Sequence, residues 1–182
     1  MTIEETVIES EMHFPKCWLN LEKTDLYINK LSKNSVCIVD FIHFYQEKRS
    51  LYFIEAKRFA RHYSPRSLGK CENCEKSKNN KDYDQIVLKF IHSINLYASL
   101  SIKRHDIKEL VLDTTYLSSV NDIKLILICK YAEKTELSQI QDKLRHDLKG
   151  FCNIWHFTTN NIVVLNEDMA LRKKLCLSVE DV

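Results

Sequence analysis

Residues 36–57 read VCIVDFIHFYQEKRSLYFIEAK, and the fold turns on them. The two flanks, Val36–Phe44 and Leu51–Glu55, are β-branched and aromatic, and polar Gln46–Arg49 lies between them, as in two strands joined by a turn. With those four residues as the loop, Tyr45 closes against Ser50 and Asp40 faces Glu55. Alternation along the strand then puts Lys57 on the same face as Glu55. Ile38, Ile42, Phe44, Leu51 and Phe53 share that face, whereas Cys37, Val39, Phe41, His43, Ile54 and Ala56 share the other. Both faces are mostly apolar, so the spacing predicts a hairpin covered by helices on both sides, with His43 a packed core histidine.

Two acids and a lysine within such strands cost free energy unless they are paired or coordinate a metal. Magnesium takes oxygen ligands and keeps several waters, so Asp40, Glu55 and the Ala56 carbonyl are candidate ligands for Mg²⁺, or for Mn²⁺ in its place. Lys57 is the candidate catalytic group, placed to orient or deprotonate a water or to stabilise a pentavalent phosphorus. The implied reaction is phosphodiester hydrolysis. The bland alternative makes Asp40 and Glu55 hairpin-end residues and Lys57 the start of a solvated basic helix. Two further acid-x-Lys triplets, Asp106-Ile107-Lys108 and Asp122-Ile123-Lys124, precede apolar runs instead of ending them.

Asp40 followed by Glu55-Ala56-Lys57 at a strand end resembles the PD-(D/E)xK nuclease superfamily over roughly residues 24–130. The resemblance implies an α/β chain with a restriction-endonuclease-like central mixed sheet flanked by helices. It also implies Asp40 and Glu55 as metal ligands, Lys57 as catalytic, and DNA as substrate ahead of RNA. DYDQIVLKF, residues 82–90, is similar to the helix of RecB-like members and implies a role in the site for Gln85; Lys89 stands where that subgroup has Tyr, and Val39 where the family has Pro. In such nucleases a carboxylate from the first helix joins the metal site, and Glu5, Glu9 and Glu22 are all candidates. A homodimer or a protein partner is compatible with the resemblance. A non-catalytic interaction or regulatory protein on the same fold, of the immunity or antitoxin type, is the alternative, because fold does not fix function.

Beyond the hairpin, residues 58–81 hold seven Arg or Lys against two Glu, in a polar stretch expected to be a loop over about 62–81. Arg58, Arg61, His62 and Arg66, with Lys89 further on, are candidate nucleic-acid contacts, since positive charge beside the site suits phosphate binding. Cys71 and Cys74 form half of a zinc site with no second half, so structural Zn²⁺ ranks behind free thiols.

Elsewhere, Ile3, Val7, Ile8 and Met12 share one helical face, predicting a helix over 2–13 with Thr2 as a possible N-cap. Residues 24–31 suit a helix or a strand. Helices are expected over 82–101, 109–117, 137–148 and 169–175, and a buried strand over 123–129. Residues 152–157 and 162–165 read as a second hairpin.

The chain has 182 residues, 45% hydrophobic and 29% charged, which suits one globular domain over 1–182 with a single core. Only two Gly argue against dinucleotide and Walker phosphate loops. The net charge of +2 selects no partner by itself. Seven scattered Cys, an acidic N-terminus and no apolar run approaching roughly 18 residues make a reduced, cytoplasmic protein without membrane contact the simplest expectation.

Overall fold

The computed structural model describes residues 6–15, 18–58, 76–105, 120 and 122–177. The strands are β1 (Thr6–Glu9), β2 (Met12–Pro15), β3 (Leu19–Asn20), β4 (Phe41–Tyr45), β5 (Ser50–Arg58), β6 (Asp122–Lys130) and β7 (Ile162–Asn166). The helices are α1 (Lys76–Ser101), α2 (Lys134–Asp147), α3 (Lys149–Ile154) and α4 (Glu167–Arg172). The fold is mixed α and β. Five strands form one sheet in the order β3-β4-β5-β6-β7, antiparallel up to β5 and parallel from β5 to β7. Parallel neighbours need a crossover; α1 lies between β5 and β6, and α2 and α3 lie between β6 and β7.

The central hairpin has the expected register, with Tyr45 opposite Ser50 and Phe41 opposite Ile54. A 3₁₀ turn at Gln46–Lys48 and a left-handed Arg49, φ 49°, reverse the chain. Its two faces enter two cores. Leu51 and Phe53 pack with Leu125 and Leu127 against Ile86, Phe90 and Ile94 of α1 and Ile140 and Leu144 of α2. Phe41, Ile54, Ile126 and Ile128 pack against Met12 and Phe14 of β2 and Ala170 of α4. Burying each large side chain contributes about 1.5–3 kcal/mol. His43 lies on this second side, stacked on Trp18 at 4.7 Å between ring centroids, and burial lowers its pKa.

Several segments differ from the sequence reading. Residues 6–15 form the β1–β2 hairpin instead of a helix, with Thr6 opposite Pro15 and Glu9 opposite Met12. Ser10 and Glu11 turn with φ 50° and 63°, the conformation of the tight hairpin turn, and β-branched Thr6-Val7-Ile8 favours the strand. A helix-like apolar spacing thus concealed a period of two, in which Met12 and Phe14 are buried. Residues 36–39 carry no strand pairing, and Ile38 and Val39 both enter the α1-side core.

Residues 25–34 are helical, tightening from a π turn at Tyr27–Leu31 to a 3₁₀ turn at Ser32–Asn34. The polar stretch read as a loop to about residue 81 is already helical from Lys76. Residues 152–157 form no strand: Cys152 belongs to α3, its N–H bonding the Leu148 carbonyl, and β7 pairs in parallel with β6. A short apolar run fits a buried helix face as well as a strand. The helix expected over 109–117 lies outside the described residues. Among the described residues no helix is long and apolar enough to cross a membrane.

Candidate functional site

Asp40 sits at the bend that enters β4, and Glu55 and Lys57 sit near the end of β5, so the antiparallel register brings them together. Asp40 is 3% exposed and Glu55 fully buried. The Ala56 N–H donates to Asp40 Oδ2 at 2.7 Å, which locks the carboxyl across the hairpin. Lys57 Nζ lies 3.6 Å from Glu55 Oε1 with its side chain 27% exposed, making it the group that reaches from the buried acids toward solvent. The three residues selected from the sequence therefore converge.

Two more groups complete the cluster. Lys89 Nζ contacts Glu55 at 3.0 Å, Glu22 Oε1 at 3.1 Å and Asp40 Oδ1 at 3.4 Å. Glu22 arrives on the 3₁₀ turn Leu21–Lys23, which Asn20 caps by accepting from the Lys23 N–H. The Leu21 N–H donates to the Asp40 carbonyl at 3.2 Å, tying that turn to the entry of β4. Lys89 projects from the buried face of α1, where Ile86, Phe90, Ser93 and Ile94 are also buried. Ser93 Oγ accepts the Val39 N–H at 2.8 Å and so positions the residue before Asp40.

Lys89 was expected at a nucleic-acid surface; it is instead 8% exposed and embraced by three carboxylates. A lysine inside an apolar helical stripe was the available signal, because a buried ammonium requires partners. Gln85, one turn earlier, is exposed. The Ala56 carbonyl accepts the Ser10 hydroxyl at 3.0 Å. Arg58 is paired with Glu11. Among the candidate first-segment carboxylates, Glu22 touches Lys89 and Glu9 lies close enough to raise the Asp40 pKa. Glu5, Arg61, His62, Arg66, Cys71 and Cys74 lie outside the described residues.

With every group ionised, Glu22, Asp40 and Glu55 oppose Lys57 and Lys89, a formal excess of one negative charge. Burial pushes the Asp40 carboxyl up to about 6 against the pull of Lys89 and the Ala56 N–H. Burial and then the Asp40 charge push Glu55 up to about 8, against Lys89 and Lys57. Burial acts against the Lys89 ammonium, but Glu55, Asp40 and Glu22 outweigh it and hold its pKa above the usual lysine value. Glu55 Oε1 lies 3.0 Å from the Lys89 ammonium and 3.6 Å from that of Lys57 yet hydrogen-bonds to neither, leaving a buried acceptor unsatisfied. The cluster thus favours one further positive charge, a proton or a cation.

Hard carboxylate oxygens suit Mg²⁺ or Mn²⁺ better than a soft metal. Among the described residues no set of three or more His, Cys, Asp or Glu side chains is already gathered around a metal position. Two carboxylates with waters are a sufficient magnesium set, and Asp40 and Glu55 are the residues that would hold such an ion.

No protein-family model matches the chain, and no curated protein and no solved structure matches it.

Proposed function

We propose that the chain is a divalent-metal-dependent nuclease that hydrolyses phosphodiester bonds, in DNA ahead of RNA, on a restriction-endonuclease-like core. The observation that carries this reading is the convergence of Asp40, Glu55 and Lys57 with an excess of negative charge. Strand order supports it: antiparallel β4 and β5, a crossover through α1, then parallel β6 place all three residues where the carboxyl end of β5 meets the start of β4. Ligands bind preferentially at the carboxyl ends of parallel strands.

A cation held by Asp40 and Glu55 would change the formal charge of the cluster from −1 to +1, which matches one phosphodiester anion. When bound it would stabilise charge on the scissile phosphate and lower the pKa of a water. Lys57 Nζ, reaching from Glu55 toward solvent, is the group placed to hydrogen-bond the attacking water or the phosphoryl oxygens. The Ala56 N–H fixes the Asp40 carboxyl, and Lys89 draws the three acids together.

One observation favours a second reading. The Lys89 ammonium already serves as an internal counter-ion, as in a purely structural charge cluster, and a non-catalytic interaction or regulatory protein would need nothing more. Cleavage of supercoiled plasmid and of single-stranded oligonucleotide with Mg²⁺ or Mn²⁺ separates the two. The nuclease reading expects metal-dependent cleavage that falls about 100-fold or more in Lys57→Ala. An inert native protein supports the regulatory reading.

A further inference from the structure

The tip of the β1–β2 hairpin is fastened to the same end of the sheet as the acid cluster. Glu11 Oε1 pairs with Arg58 Nη1, and Glu11 Oε2 accepts from the Tyr131 hydroxyl at 3.0 Å. Each carboxylate oxygen therefore has its own donor, from residues that end β5 and follow β6. Lys130 Nζ donates to the Glu11 carbonyl and lies 3.5 Å from Glu167. Arg58 and Lys130 both lie over the Tyr131 ring, at 5.8 and 5.4 Å from its centroid, so the donors are packed on one another. Next to Glu11, Ser10 donates to the carbonyl of Ala56, the residue whose N–H holds Asp40.

We propose that Arg58 and Tyr131, supported by Lys130, form a phosphate-binding subsite for the nucleic-acid backbone, and that Glu11 is its internal occupant. A guanidinium and a hydroxyl aimed at two oxygens of one anion suit a phosphodiester as well as a carboxylate. The hairpin tip is then a competitor that the backbone displaces. Displacement is cheap, because the Arg58 and Glu11 side chains are 60% and 47% exposed and such ion pairs are worth about 1 kcal/mol or less. This assignment rests on the nuclease reading for the identity of its ligand.

Binding of a fluorescein-labelled DNA duplex, followed by anisotropy in EDTA and low salt, tests it without cleavage. Glu11→Gln keeps the side chain's size and is expected to tighten binding about threefold to fivefold, the equivalent of that ion pair. Arg58→Ala is expected to weaken binding and to abolish the gain when combined with Glu11→Gln. Thermal melting of each variant checks that the hairpin still folds, and Glu11→Gly, suited to the left-handed turn, serves as the second variant. Unchanged or weaker binding by both folded Glu11 variants overturns the subsite. Cleavage by the native protein together with that result would leave the nuclease reading standing and the subsite rejected. Tighter binding by the Glu11 variants without any metal-dependent cleavage would leave the subsite supported and the nuclease reading rejected.

Discussion

Replacing Lys89 with Met keeps most of the stem and removes the charge that three carboxylates share. Its Nζ lies 3.0 to 3.4 Å from Glu55, Glu22 and Asp40, so the formal charge of the cluster moves from −1 to −2 on substitution. Removing one partner of a buried ion pair costs about 3–5 kcal/mol. For a chain of this size that is a fall in Tm of roughly 6–20 °C, at about 2–4 °C per kcal/mol. The loss depends on pH. Asp40 and Glu55 have folded pKa values above their unfolded ones, about 6 and about 8, so the stability they contribute is complete below the ordinary carboxylate range and is lost as pH rises through those values. Without Lys89 both values rise further, leaving the acids neutral at pH 5 and the penalty small there. Melting followed by circular dichroism in EDTA should therefore show a wide gap between native and variant at pH 8 and a narrow one at pH 5. Equal gaps at the two pH values, or none at pH 8, would refute the electrostatic account and leave only lost packing.

Other substitutions separate individual bonds. Asp40→Ala strips the Ala56 N–H of its acceptor and should cost about 1–3 kcal/mol in urea unfolding, whereas Asp40→Asn, which can still accept, should cost less; equal losses would show that this bond does not hold the hairpin. Ser93→Ala orphans the buried Val39 N–H and should cost a similar amount, with unchanged stability as the contrary result. Glu55→Gln replaces a carboxyl that is neutral in both the folded and the unfolded chain below the ordinary carboxylate range, so at about pH 4 its stability should lie within about 1 kcal/mol of native and then decline less than native as pH rises toward about 8; parallel declines would count against a raised Glu55 pKa.

The central hairpin was legible because two constraints agree: a period of two along both strands and a four-residue polar loop admit one register, and Tyr45 does stand opposite Ser50. Asp40, Glu55 and Lys57 were found through that register. Lys89 was not assigned to the acids because its partners lie 34, 49 and 67 residues away in the chain, and no local spacing names them. Its place among Ile86, Phe90 and Ser93 was the clue. The N-terminal hairpin was concealed because Ser10 and Glu11, not glycine or asparagine, take the left-handed turn, while Val7, Ile8 and Met12 also fit a helical face. At 152–157 the run was too short to separate helix from strand, and the pairing of β7 with β6 across α2 and α3 decided it.

Isothermal titration of the native protein with Mn²⁺ at pH 7.5 tests most directly whether the acid cluster takes a cation. Binding that is abolished in Glu55→Gln and Asp40→Asn, both still folded, is the expected result. No binding by the native protein, or binding that both variants retain, would contradict it.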